Sequence, residues 1–290
     1  RKAVLVIVSL SLSMILINGT YALIKGFSFD KYVQSYLLTD MQVSHFSMRN
    51  LSSQDRDFQA VTPEIISELE RFPGVEKVRT LKMGYVMTEL SEELTENYVS
   101  FFKSEEMAEY SSYMEEMLDE VKKSRKVDSH TYWMEDDLLP YIDILEGDFD
   151  KEKFDQGGYA VLFKDYFTGW AAGSVGEKIT LKGWEEREGV EKELEIMAVA
   201  TLPYAAGTRS SALGCGMVLL GKKDFEELCD VKGGLHAFLD VEKGADEQVI
   251  EAINGWIEDG HTDLVLTSKE YLRKEFSREL GMFSIIGGLL

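Results

Sequence analysis

The sequence predicts an α+β fold: a ferredoxin-like sandwich made from two βαβ halves, with a β-rich subdomain inserted between them and transmembrane helices on either flank. Three observations predict it. A strand–helix–strand pattern begins near residue 39, and a second of the same design ends near residue 267. Between them the texture changes to short strands separated by glycines and charged turns. The helix in each βαβ pattern carries a single apolar stripe, so each needs a sheet to bury it.

Residues 1–24 are expected to form a transmembrane helix. Ala3 to Ile24 contains no Asp, Glu, Lys or Arg. At a rise of about 1.5 Å per residue, roughly 20 residues cross a hydrocarbon core about 30 Å thick. A cleaved signal peptide would have a shorter apolar core and a small-residue cleavage site, which Tyr21–Ile24 does not offer. A buried core helix would keep a polar face. Arg1 and Lys2 favour a cytoplasmic start, a bias that Lys25 and Lys31 weaken from the other side. Residues 25–38 continue as a membrane-proximal stalk with Phe27, Phe29, Tyr32, Tyr36 and Leu37 as its bulky positions.

The first half of the sandwich occupies 39–90. "DMQVSHFSM" alternates as a strand does, with Met41, Val43 and, if the strand runs that far, His45 on one face. A polar loop leads to a helix over 63–72. Thr62 suits the N-cap, Pro63 the first helical position, and Glu64 adds charge at the positive end. Ile65, Ile66, Leu69 and Phe72 form its stripe, Pro73-Gly74 stops it, and "VEKVRTLKMGYVMTEL" returns as a strand.

The insertion spans 91–231. An amphipathic helix near 104–124 places Met107, Tyr110, Met114, Met117, Leu118 and Val121 at helical spacing. Core packing is the plainer reading of that stripe, and an adaptable methionine-rich binding surface is the alternative. "YAVLF", "EKITL", "ELEIMAVA" and "GMVLLG" read as strands. "YAAGTRSSALGCG" reads as a surface loop, with a ligand-contacting loop as the alternative. Trp133, Trp170 and Trp184 are expected to be partly exposed.

The second half covers 232–267. "HAFLDVE" is a strand, Lys243-Gly244 a turn, "ADEQVIEAINGWI" a helix with Val249, Ile250, Ile253 and Trp256 inward, and "DLVLT" a strand. A stalk helix over 268–281 follows, with Tyr271, Leu272, Phe276 and Leu280 as its stripe. Residues 282–290, which include Gly287 and Gly288, are read as the start of a second transmembrane helix; an apolar tail resting on the core is the alternative.

Composition excludes some functions. Lys plus Arg is 31 against 52 Asp plus Glu, a net charge of −21. Phosphate backbones need a basic footprint, so nucleic acid is excluded as a partner. An acidic ectodomain could attract cationic peptides, although a solvated surface is the plainer reading. His45, His130, His236 and His261 are scattered, with no HExxH, and no metal site is expected. There is no GxxxxGK[ST] and no GxSxG, so no catalytic residue, no enzyme activity and no cofactor is expected. Cys215 and Cys229 read as separate buried thiols rather than a disulfide, although an extracytoplasmic location would permit a bond.

The layout of one membrane helix, the unit "TPEIISELERFPGVEKV", the strands "GYAVLFKDYF", "GSVGEKITL" and "ELEIMAVA", a closing βαβ and a second membrane helix resembles the extracytoplasmic region of MacB/FtsX-type ABC-transporter permeases. The resemblance covers nearly the whole chain but has no catalytic signature. It implies that the two βαβ halves form a porter-type subdomain and the insertion a sabre-like one. The acidic helix near 104–124 departs from the usual pattern. The resemblance further implies a multi-pass protein of the cell membrane with residues 25–281 outside the cytoplasm. Its partners would be a cytoplasmic ABC ATPase subunit, a second permease copy or homologue, and membrane lipid. Phe29, Tyr32, Tyr36, Tyr271, Leu272, Phe276 and Leu280 would then be a coupling stalk. The competing reading is the ligand-sensing ectodomain of a membrane receptor or histidine kinase, which the early strand after the first span disfavours.

Overall fold

The computed structural model describes residues 29–46, 61–165, 168–207 and 214–278, apart from the side chains of 108–113. The expected spans at 1–24 and 282–290, stalk residues 25–28 and 279–281, and Leu280 with them, lie outside the described residues. Among the described residues no helix is long and apolar enough to cross a membrane.

The chain begins with α1 (Phe29–Tyr36), β1 (Met41–His45), α2 (Pro63–Leu69) and β2 (Val75–Glu89). A middle stretch supplies α3 (Glu92–Phe102), α4 (Ala108–Ser124), β3 (Lys126–Met134), β4 (Asp143–Gly147), α5 (Lys151–Gln156), β5 (Tyr159–Phe163), β6 (Lys178–Gly183), β7 (Glu191–Thr201), β8 (Gly216–Leu220) and α6 (Lys222–Leu228). It closes with β9 (His236–Val241), α7 (Asp246–Gly260), β10 (Leu264–Ser268) and a last helix, α8, over 269–278.

Four strands in the antiparallel order β10-β1-β9-β2 make the ferredoxin-like sheet. The expected stripes of α2 and α7 both lie on one face of it. Leu69 from α2 and Val249 and Ile253 from α7 join Met41, Val43, Val78, Ala237, Leu239, Leu264 and Leu266 in one buried cluster. Thr62 caps α2 by accepting from the Ile65 amide at 3.4 Å. The helix ends at Leu69, short of Phe72, because residues 70–72 tighten into shorter turns, such as Phe72 N donating to the Leu69 carbonyl at 3.3 Å. Gly74 then turns the chain at φ +93°, and a β-carbon there would lie 2.8 Å from that of Ala245.

The sheet's other face is also covered. Phe238 on β9 and Leu81 and Met83 on β2 enter a second core with Tyr132, Leu138, Phe163 and Ala206. β1 is therefore buried on both faces: Gln42 is as inaccessible as Val43 and donates from Nε2 to the Ala205 carbonyl at 3.3 Å.

The inserted strands continue the same sheet. β2 pairs with β3, β3 with β8, β8 with β5, β5 with β7, β7 with β6, and β6 returns to β2. Six strands thus close a ring around Val86, Leu162, Ile179, Leu181, Leu194, Ile196 and Val218. Closure removes the unpaired edges that a free sheet would expose. β2 belongs to both parts. Its residues 75–81 pair with β9 and its residues 86–89 with β6. Midway along it, Gly84 lets Cys229 sit against the strand: a β-carbon at 84 would lie 2.4 Å from the Cys229 sulfur. Both cysteines are free thiols, and burial pushes each up to about 12.

α3 and α4 form an antiparallel pair on the outside of the ring. Ser91 caps α3 by accepting from the Leu94 amide at 3.1 Å. Tyr98 and Phe102 pack on Met107, Met114, Leu118 and Val121, so most of the expected stripe is core. Trp170 completes the cluster at 5.0 Å from the Tyr98 ring, and Trp184 is exposed.

Candidate functional site: the paired membrane-proximal helices

The two ends of the described chain leave the sheet at one point. Met41, the first residue of β1, is directly opposite Ser268, the last of β10. α1 enters β1 and α8 leaves β10, so both helices are rooted on a single cross-strand pair. The Ser268 hydroxyl starts α8 by accepting from the Tyr271 amide at 3.1 Å. Asp40 fastens the junction. It accepts from Lys269 Nζ at 2.8 Å and from the Val241 amide at 3.1 Å, which joins the turn after α1 to the start of α8 and the end of β9. Burial opposes the charge on Asp40, but the Lys269 hydrogen bond and the Val241 amide outweigh it and hold the carboxyl below its ordinary value.

Beyond the junction the helices face each other through aromatic rings. Phe276 lies 5.7 Å from Phe29 and 5.1 Å from Tyr32, in edge-on and tilted geometry. Arg273 places its guanidinium 5.3 Å from the centre of the Phe29 ring. Tyr32 lies tilted against Tyr36 at 4.8 Å, and Tyr36 meets Tyr204 edge-on at 5.5 Å. Tyr204 belongs to the loop after β7, in the inserted segment. The seam is therefore a chain of five rings that runs from α8 through α1 to that loop.

Of the residues singled out from the sequence, Phe29, Tyr32, Tyr36 and Phe276 come together in this seam. Leu272 is buried. Tyr271 faces elsewhere and lines a groove with Ile250 and Ile257 of α7. Leu280 lies outside the described residues.

Sequence reasoning missed Asp40 and Tyr204. Asp40 stands at a helix–strand turn, where an acid is unremarkable. Tyr204 is in the segment read as a surface loop or ligand-contacting loop. Its described part is instead packing material. Ala205 and Ala206 are buried, and the Gly207 carbonyl lies 3.1 Å from His236 Nε2. The run of small residues was the available signal, since alanines and glycine allow a backbone to lie flat on a sheet.

The seam holds no cluster of titratable groups arranged for proton transfer or nucleophilic attack. No group of His, Cys, Asp and Glu able to hold a metal occurs among the described residues. The arrangement is suited to holding two helices together and to joining them to the sheet.

The sequence matches no family profile and no curated protein. The structure is similar to the periplasmic region of MacB from Actinobacillus actinomycetemcomitans, at 8% identity and a TM-score of 0.46, covering 84% of this chain and 95% of that one. It is similar to the extracellular domain of the noncanonic ABC-type transporter YknZ from Gram-positive bacteria, at 10% identity and a TM-score of 0.42, over 79% of this chain and 99% of that one. A domain of a putative permease protein from Porphyromonas gingivalis is similar at 12% identity and a TM-score of 0.37, over 78% of this chain and 88% of that one.

Proposed function

We propose that the chain is the extracytoplasmic part of an ABC-transporter permease, and that it transmits motion rather than performing chemistry. A cytoplasmic ATPase partner hydrolyses ATP, the membrane spans shift, and α1 and α8 carry the shift into the sheet. The proposed spans lie at 1–24 and from 282 onward. A second permease copy or homologue completes the transporter in this reading.

One observation carries it: α1 and α8 are rooted on the Met41–Ser268 pair and packed on each other through Phe276, Phe29 and Tyr32. Two separate tethers would lose a displacement of the spans in their own bending. A packed pair passes it on as a rigid-body movement. The branch through Tyr36 and Tyr204 carries the same displacement to the inserted segment.

The test is a cysteine pair at Tyr32→Cys and Phe276→Cys in the full transporter. Oxidation should crosslink the helices. Locking them should leave transport intact, because the pair moves as one body, whereas parting them with Phe276→Ala should impair transport while ATP binding by the partner stays intact. Loss of transport in fully crosslinked protein, or normal transport by Phe276→Ala, would mean that the helices do not act as one rigid pair, and this mechanism would be wrong.

A further inference from the structure

A cleft lies away from the stalk, between α4 and the paired strands β2 and β3. It encloses about 690 Å³, within the range of roughly 300–1,000 Å³ that small-molecule and side-chain sites occupy. Its floor is apolar and adaptable. Met117 turns into it from α4 and Met87 from β2, both partly exposed. Met117 packs by one side on the buried stripe of Met107, Met114, Leu118 and Val121 that joins α4 to α3, and presents the other to the cleft. Tyr98 forms one wall, fixed by a hydrogen bond from its hydroxyl to the Gly214 carbonyl at 3.0 Å.

The rim is acidic. Glu116 and Glu120 stand one turn apart on α4, and Asp128 faces the cleft from β3. Partial burial alone pushes the Asp128 carboxyl above its ordinary value, with no described cation offsetting it. Lys126 is the described cation of the lining, and its field acts on Glu89. Such a rim above a thioether floor is complementary to a positive charge on an apolar stem.

We propose that this cleft binds a cationic side chain of a peptide, arginine or lysine, with the charge held among Glu116, Glu120 and Asp128 and the apolar stem laid on Met87 and Met117. The site does not depend on the stalk acting as a coupling element.

Acetyl-Phe-Arg-amide is the probe, titrated calorimetrically into the whole chain. Acetyl-Phe-citrulline-amide has the same shape without the charge. The arginine peptide should bind, and the citrulline peptide should bind at least about tenfold more weakly, the sum of several partly exposed charge contacts. The triple variant Glu116→Gln, Glu120→Gln, Asp128→Asn should lose about tenfold. A control triple with the same charge change on exposed residues of the other part, Glu242→Gln, Glu251→Gln, Glu258→Gln, should stay within about twofold. Met117→Lys supplies a cation at the floor and should weaken the probe as the triple variant does. Trp170 emission, reporting through Tyr98, should shift with the arginine peptide only. Equal binding of the two peptides, equal loss in both triples, or no binding at millimolar probe would each overturn the site. Binding that requires Arg209→Gln would mean that the chain's own guanidinium occupies the carboxylates, and would overturn it as well.

Discussion

Replacing Phe276 by alanine should release α1 from α8 without unfolding the sheet. The ring makes two aromatic contacts, at 5.7 Å to Phe29 and 5.1 Å to Tyr32. Each such pair contributes about 0.5–1.5 kcal/mol beyond simple burial, so the two together hold α1 by about 1–3 kcal/mol. With eight residues, α1 is too short to persist on its own hydrogen bonds. Its amide protection therefore reports docking. Hydrogen exchange at the amides that close the helix, such as Leu37 N bonded to the Val33 carbonyl at 2.8 Å, should accelerate about 5- to 150-fold. Exchange in β1 and β9 should not change, because Asp40 and the Met41–Ser268 pair are untouched. The reasoning fails if exchange across α1 is unaltered, since Leu37 and the Tyr36–Tyr204 contact would then suffice to hold it. It fails equally if the whole sheet loses protection in step with α1, since the seam would then be part of the global core.

Three further outcomes can be checked by unfolding measurements. Gly84→Ala drives a methyl into the Cys229 sulfur and should cost about 1–3 kcal/mol in denaturant unfolding; adding Cys229→Ala should recover part of that loss and Cys229→Gly more of it, because the residue-229 β-carbon would itself lie 2.8 Å from the new methyl. His130 is buried beside Tyr85 at 5.3 Å, and burial pushes its pKa down from 6.5 to about 4, so the fold holds it neutral while the unfolded chain takes up a proton. Its contribution is therefore complete above about 6.5 and is lost as pH falls towards 4, and a His130→Phe variant should show a flatter stability curve across that window. Asp224 is buried, with Oδ1 2.6 Å from Lys192 Nζ and Oδ2 accepting from the Gly158 amide at 2.7 Å. Lys192→Met strands that carboxylate and should cost about 3 kcal/mol, whereas Lys178→Met, which breaks an exposed pair with Glu193, should leave the unfolding midpoint nearly unchanged.

Sequence reading reached furthest where a residue's local duty matched its place in the whole. Thr62-Pro63-Glu64 announce a helix start, and the stripes of α2 and α7 point to a sheet, which is where both lie. α3 went unread although Ser91 followed by Glu92 and Glu93 is a fair start signal, because Thr95, Tyr98 and Phe102 make a short, mixed stripe. β3 went unread because Ser129, His130 and Thr131 are polar yet buried, which hides the strand's alternation. β4 is exposed along its whole length and has no apolar face to announce it. The stalk residues were legible as stripes, but their partner Tyr204 was not: the contact joins residues far apart in sequence, and nothing local to Tyr204 encodes Tyr36. Closure of the ring is of the same kind, since pairing order is decided across the whole chain.

The double membership of β2 has a consequence for taking the molecule apart. No pair of cuts that leaves every strand whole separates the six-stranded ring from the four-stranded sheet, because residues 75–89 are a single strand counted in both. Excising 91–231 would strip residues 86–89 of β3 on one edge and β6 on the other, and would expose Val86 and the underside of Gly84 to water. Expressing 91–231 alone would leave β3 and β6 with a gap where one stave of the barrel should be. Each fragment would carry open edges of the kind that recruit other chains. Fragments bounded at residues 90 and 232 should therefore aggregate separately and recover only when mixed, and a minimal fragment that keeps every strand of the ring whole has to begin at or upstream of Val75.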